Sequence, residues 1–207
     1  SQKNELKYIA VIDCTGHGVP GALLSIIAFR IITRIVNEFE IQEPNEILEF
    51  LDTEIHAIFH QSKSEQYHIN DGMDIALCII DEKQRKIKFS GAYRPLYFYS
   101  NNLIEEISGT NRPIGSNINS LNRSAFELIE LEYQKGDRLF LSSDGYPSQF
   151  GGALGKKMNK KVFKEILNKT SSLPIEEQKN KLEEFFNEWK STNEQVDDVC
   201  VIGLMLD

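Results

Sequence analysis

At 207 residues, with 41% hydrophobic and 26% charged positions, the chain has the size and balance of one globular domain able to bury a sizeable core. Its formal net charge of −8 excludes sequence-independent nucleic-acid binding, which draws its affinity from lysine and arginine on phosphates, so no nucleic-acid partner is expected. The longest apolar stretch, Val19 to Phe29, is broken at Arg30, short of a membrane span, and no membrane contact by this domain is expected.

Leu6 to Ile12 has the texture of a strand, and Pro20 suits the first turn of a helix running on to about Phe39. That helix is apolar almost all round: Arg30, Thr33, Arg34 and Asn37 form one narrow polar stripe, so it is expected to be buried on most sides or shared with a partner. Pro44 to Ser62 is predicted as a second helix, with Ile47, Leu48, Leu51, Ile55, Ile58 and Phe59 on one face. From Asp74 the runs "DIALCIID", "KIKFSGAY", "PLYFYS", "AFELIELEY" and "RLFLSSD" predict a mostly antiparallel sheet region. "GGALGKKMNKK" is predicted as a long flexible loop, Lys161 to Lys169 and Ile175 to Thr192 as helices, and "VCVIGLML" as a last strand.

The three cysteines, Cys14, Cys78 and Cys200, are widely spaced and lack a CxxC pair, and are expected to be reduced core thiols in a cytoplasmic chain. A cysteine-phosphatase loop needs an arginine six positions after its thiol, and Pro20, Gln84 and Leu206 stand there instead. The opening "SQKNELKYIAVID" has neither an initiator methionine nor a signal-peptide pattern, so a piece cut from a longer protein is expected, whose remainder is free to carry a membrane anchor.

Three aspartates adjoin apolar strands: Asp13 after "YIAVI", Asp144 after "RLFLSS" and Asp197 before the last strand. One such residue is explained by capping the next helix, but three call for a common cause. Converging carboxylates repel unless one is protonated or a hard cation binds, and with no His or Cys cluster beside them the donor type favours Mg²⁺ or Mn²⁺ over Zn²⁺. Two such ions acidify a water for phosphate-ester hydrolysis. On this reasoning Leu6 to Ile12 is expected to pair with the strand after Asp197.

The ordered segments "DCTGHGVPGALLS", "DGMDIALCIID", "SGAYRPLYFYS", "RPIG", "LSSDGYPSQFGG" and "QVDDVCVIG" resemble the bacterial serine phosphatase domain of the sporulation stage II protein E (SpoIIE) type, within the metal-dependent protein phosphatase 2C superfamily. The resemblance covers nearly the whole chain, 1–207. It implies an α+β fold, an α/β/β/α sandwich of two mostly antiparallel sheets flanked by helices, here expected to lack its first strand or strands. It also implies a Mn²⁺- or Mg²⁺-dependent serine/threonine phosphatase with two ions, acting on a phosphorylated regulatory protein such as an anti-sigma-factor antagonist. Carried over by position, Asp13 bridges both metals, the Cys14 backbone carbonyl ligates one, and Asp144 and Asp197 complete the other shell. Asp198 either orients its neighbour or binds metal, since superfamily members often have Asn there. An acidic "GDFYW"-like segment usual in the family belongs upstream of Tyr8, so weak metal binding is expected of this piece, and Ser148 stands where many relatives have Asp.

The remaining candidates divide between chemistry and scaffold. His17 is either a proton donor to the leaving serine or a turn-stabilising imidazole. Gly16, Gly18 and Gly21 suit tight backbone geometry or, as the lesser reading, a phosphate resting on the helix N-terminus. His56 and His60 share a helical face with Asp52 as zinc would require, yet without a further ligand they fit a solvated face. Lys156, Lys157, Lys160 and Lys161 either steer a phosphoprotein or are simply solvated, and Arg94 and Arg112 are phosphate clamps or structural ion-pair partners. The helices within 19–62 are expected to dock an upstream sensor domain or a second copy of the chain. The alternative to an enzyme is a phosphatase-fold interaction module of weak or no activity.

Overall fold

In the computed structural model, strand and helix placement follows the alternation of apolar runs and turn residues closely. The structure describes residues 2–3, 6–16, 19–39, 41–60, 72–115 and 124–207, the side chains of 2, 3, 59 and 60 excepted. Two units emerge, one comprising the chain up to Arg94 with Ser108–Glu132, the other Pro95–Ile107 with Tyr133–Asp207.

The first unit is an antiparallel sheet of five strands with two helices. Its strands are β1 (Gln2–Lys3), β2 (Leu6–Cys14), β3 (Met73–Asp81), β4 (Lys86–Ala92) and β7 (Ile129–Glu132), paired in the order β1-β2-β3-β4-β7. The central strand β3 is an unbroken apolar run, "IALCII", and is buried on both faces. Helix α1 (Val19–Arg34) continues through a π-helical turn, Ile35–Phe39, and α2 (Pro44–His60) follows. Leu24, Ala28, Ile35, Ile47, Leu48, Leu51 and Ile55 pack with Ile75, Leu77 and Ile79 in one core.

In the second unit β5 (Leu96–Ser100), β6 (Leu103–Ile107), β8 (Arg138–Ser142) and β11 (Val201–Met205) form an antiparallel sheet in the order β11-β8-β5-β6. The short α3 (Gly145–Ser148) and the longer α4 (Asn159–Thr170) and α5 (Ile175–Lys190) accompany it. Tyr97, Phe140, Tyr146, Phe163, Leu182 and Phe186 make its core, with Tyr97 edge-on to Phe163.

Two expectations are corrected, and one strand had none. Leu6 to Ile12 does not pair with the last strand: β2 pairs with β1 and β3, and β11 pairs with β8 in the other sheet. The predicted loop at "GGALGKKMNKK" is a small hairpin, β9 (Phe150–Gly151) with β10 (Lys156–Lys157), turned through Gly152 and Gly155 at positive φ and followed directly by α4. The strand β6 was not anticipated. Its glutamates Glu105 and Glu106 mask the pattern, and the Asn101-Asn102 turn, both residues at positive φ, was the available hairpin signal.

The apolar α1 is less buried than expected. Val19, Leu23, Ile26 and Phe29 are exposed, Phe29 at 69%, so the helix is not buried on most sides. Val19–Phe39 has the length and mean hydropathy, 1.8, of a membrane-crossing helix, but it carries Arg30 and Arg34 and buries Gly21, Leu24 and Ala28 in the core.

Candidate metal centre

In the first unit the register of β2 against β3 sets Asp13 directly opposite Asp74, and Cys14 opposite Met73. Like charges across an antiparallel pair destabilise it, so the pair needs a counter-charge. Arg94 supplies one: its Nη2 lies 2.9 Å from Asp13 Oδ2 and 2.9 Å from Asp74 Oδ2. The arginine is brought there by a tight return of the chain after β4. Tyr93 takes φ +58°, and the Arg94 carbonyl passes so close to Gly91 and Gly109 that a Cβ at either would lie 2.3 Å or 2.8 Å from its oxygen. Arg94 thus makes the ion pairs that were one of its two expected roles. Arg112 likewise pairs with Glu49 and Asp52, donates to the Ser124 carbonyl and stacks on Phe126.

Beyond Asp13 the ladder is prolonged by Thr15, whose N–H and hydroxyl both donate to the Gly72 carbonyl at 2.9 and 2.8 Å, while its hydroxyl accepts from the Gly72 N–H. The turn then folds over the start of α1: a Cβ at Gly21 would meet the Gly16 carbonyl at 2.8 Å, and Gly16 has φ +90°. These glycines serve backbone geometry, as expected. His17 and Gly18 lie outside the described residues. Burial pushes the Cys14 thiol up, a hydrogen bond with Ser25 acts against that, and Asp13 adds to the rise, so the thiol is held in its protonated form.

In the second unit Asp144 stands at the N-terminus of α3, with φ −85° and ψ −6°, and its side chain makes no capping hydrogen bond. The residue beside it, Ser143, is a bridge to the segment of Asp197 and Asp198. Its hydroxyl donates to the Asp198 carbonyl at 2.8 Å and accepts from the Cys200 N–H at 3.0 Å. A Cβ on Gly145 would lie 2.2 Å from the same Asp198 oxygen, so only glycine permits this approach. Asp197 and Asp198 are exposed, and Asp197 Oδ1 accepts from the Asp198 N–H at 2.7 Å.

Ser143 and Asp74 were both missed by sequence reasoning. Asp74 carried the same signal as the three named aspartates, a carboxylate at the end of an apolar strand. The other candidates separate plainly. Lys156 and Lys157 are exposed on β10, whereas Lys160 and Lys164 flank Glu106. Asp52 is buried, accepting from Arg112 and the Gly115 N–H, and the His60 side chain lies outside the described residues, so the helical face offers no described zinc site.

Among the described residues no group of three or more His, Cys, Asp or Glu side chains gathers to hold a metal. Among the described residues the two acidic sets offer carboxylates, a donor type that fits a hard cation.

Residues 6–207 match the protein family described as stage II sporulation protein E (SpoIIE). No curated protein sequence is matched. Among solved structures, the SiaA-PP2C domain of Pseudomonas aeruginosa aligns with 100% of this chain and 78% of its own, at 26% identity and a TM-score of 0.85. The structure of the PP2C phosphatase domain and a fragment of the regulatory domain of SpoIIE from Bacillus subtilis aligns with 98% of this chain and 54% of its own, at 20% identity and a TM-score of 0.71. RsbX, crystallised in complex with magnesium, aligns with 100% of this chain and 84% of its own, at 16% identity and a TM-score of 0.64. These last two establish the fold alone.

Proposed function

The chain belongs to the SpoIIE family of PP2C-type serine/threonine phosphatase domains, and we propose from that premise that it hydrolyses phosphoserine or phosphothreonine on a bacterial regulatory protein of the anti-sigma-factor antagonist type. The observation that carries the reading is the pair Asp13 and Asp74, opposed across two strands at the cost of direct repulsion and held by one guanidinium. A fold gains nothing in stability from such a pair over two neutral side chains. A function that needs concentrated negative charge explains it.

In this reading Asp13, the Cys14 carbonyl, Asp144 and Asp197 would supply oxygen ligands to the cations, with Asp198 as ligand or support. Bound Mn²⁺ or Mg²⁺, two ions in the family resemblance, supplies Lewis acidity toward phosphate oxygens and an acidified water. The chain's own residues do the rest. Arg94 pairs with both Asp13 and Asp74 and offsets their mutual repulsion. Ser143 and Gly145 fix the backbone of Asp198 beside that of Asp144. Lys156 and Lys157, exposed in an acidic chain, draw an anionic phosphoprotein inward.

The exposed face of α1 supports a second, compatible role as a docking surface for an upstream sensor domain or for a second copy of the chain. The three thiols are free, in keeping with a proposed cytoplasmic setting, but of the three expected in the core Cys78 is buried, Cys14 partly buried and Cys200 exposed.

The test is hydrolysis of an aryl phosphate and a phosphoserine protein with and without Mn²⁺. Asp13→Asn and Asp144→Asn keep size and hydrogen-bonding capacity but lose charge, and turnover is expected to fall by at least about 10²-fold with the fold intact. Full Mn²⁺-dependent turnover in Asp13→Asn would falsify the assignment.

A further inference from the structure

The ten residues between α5 and β11, 191–200, form an irregular and largely exposed connection, yet they carry Asp197 and Asp198. An exposed connection of this length loses position easily unless its backbone is tied down. Two polar side chains tie it, and they flank Asp144 in sequence. Ser143 holds the downstream end, through the Asp198 carbonyl and the Cys200 N–H. Gln149 holds the upstream end. Its Nε2 donates to the Glu194 carbonyl at 2.9 Å and to the Phe150 carbonyl at 3.0 Å, and its Oε1 faces the Val196 N–H at 3.4 Å.

Gln149 is 0% exposed. A buried amide is expensive unless its donors and acceptor are met, and here both donors and the acceptor are spent on backbone groups, two of them in this connection. Its own backbone is fixed as well: its carbonyl accepts from the Met158 N–H at 2.9 Å and from Trp189 Nε1 at 3.2 Å. The frame that carries the glutamine is therefore made of the α3 terminus, the hairpin end and α5, while what it grips is the otherwise exposed chain one residue before Asp197.

We propose that Gln149 is a positioning residue of the metal-dependent reaction: with Ser143 it clamps the chain on both sides of Asp197 and presents that carboxylate to the cation. The inference rests on the metal-dependent phosphatase reading above. It accounts for a buried glutamine among the residues that follow Asp144, where a leucine of similar volume would satisfy packing alone.

The experiment compares the intact chain with Gln149→Leu, by Mn²⁺ titration followed through the electron paramagnetic resonance of free Mn²⁺, and by hydrogen exchange across 193–199. Residues that orient metal ligands typically cost 10–100-fold in metal affinity when removed, and a loss of roughly that size is expected here. Exchange across 193–199 is expected to quicken by about tenfold or more while β11 stays protected. In turnover assays the Mn²⁺ concentration for half-activation rises, while the rate at saturating Mn²⁺ falls much less, a split that general loss of stability does not produce. Should Gln149→Leu fail to fold, Gln149→Asn, an amide one methylene too short, takes its place in the same measurements. Unchanged Mn²⁺ affinity and unchanged exchange in the variant, with the parent binding Mn²⁺, overturn this inference alone. A parent that binds no Mn²⁺ overturns the metal-dependent reading and this inference with it.

Discussion

Replacing Arg94 by methionine keeps most of the stem and removes the guanidinium from between Asp13 and Asp74. At 2.9 Å each ion pair corresponds to about 6 kcal/mol of attraction for an effective dielectric of ~20. Desolvation and the mutual repulsion of the carboxylates take most of that back. The net cost of breaking a buried pair by deleting one partner is about 3–5 kcal/mol. Because the two aspartate side chains keep 23% and 22% exposure, water screens part of the loss, and about 3 kcal/mol is the expected destabilisation. Chemical denaturation of parent and variant at pH 7, without divalent cations, measures it.

The same experiment repeated with Mn²⁺ separates a structural ion pair from a place-holder for a cation. In the parent a cation must displace Arg94 from its carboxylates, whereas in Arg94→Met the charge is already unopposed. Ligand at a hundred times its dissociation constant adds about 2.7 kcal/mol to the native state. Mn²⁺ is therefore expected to stabilise the variant by about 2–3 kcal/mol and the parent by clearly less, closing most of the gap. Equal stability of the two proteins without cation, or equal stabilisation of both by Mn²⁺, would refute the reasoning.

Phe29→Asp places a charge at the centre of the exposed α1 face; if that face joins two copies, sedimentation should show the dimer dissociation constant rising by at least about 30-fold, and a parent that is monomeric at high concentration speaks against the interface. Burial pushes the Cys78 thiol far up, so the unfolded chain gives up that proton first as pH rises. The stability tied to this thiol is complete below the ordinary thiol value of about 8.5 and is lost above it at about 1.4 kcal/mol per pH unit. Denaturation at pH 7.5, 9 and 10 should therefore show a shallower decline in Cys78→Ala than in the parent.

Strands whose residues are apolar throughout were legible because their composition leaves no alternative: β3 and β8 lie where "DIALCIID" and "RLFLSSD" predict them, and α5 where Leu182, Phe186 and Trp189 recur at helical spacing. Strand pairing was not. Leu6–Ile12 and the last strand are equally apolar, and nothing in either composition says which edge each will join; register is a tertiary outcome. The hairpin at Phe150–Lys157 escaped because its strands are two residues long, and its glycines are explained only by what they approach: a Cβ at Gly151 would lie 1.8 Å from the Trp189 carbonyl. In the same way Ser143 and Gln149 become intelligible once the segment 194–200 is seen lying against them.

The aspartates themselves were found by position, and the structure speaks against one reason for that position, helix capping. Capping requires a side-chain oxygen turned back onto the first N–H groups of a helix, with the residue in extended backbone geometry. Asp144 meets neither condition: it sits at φ −85°, ψ −6°, and makes no such bond. Asp13 lies within the β2–β3 ladder, its carboxylate committed to Arg94 across from Asp74. Neither residue is placed for the helix that follows it. What both share is a strand end followed by glycine in the next few residues, where the backbone is free to pass close: Gly16 and Gly21 fold over one another after Asp13, and Gly145 admits the Asp198 carbonyl after Asp144. Under the proposed function, carboxylates at strand ends bordered by bare backbone would suit a small hard cation, with its demand for oxygen donors and retained waters.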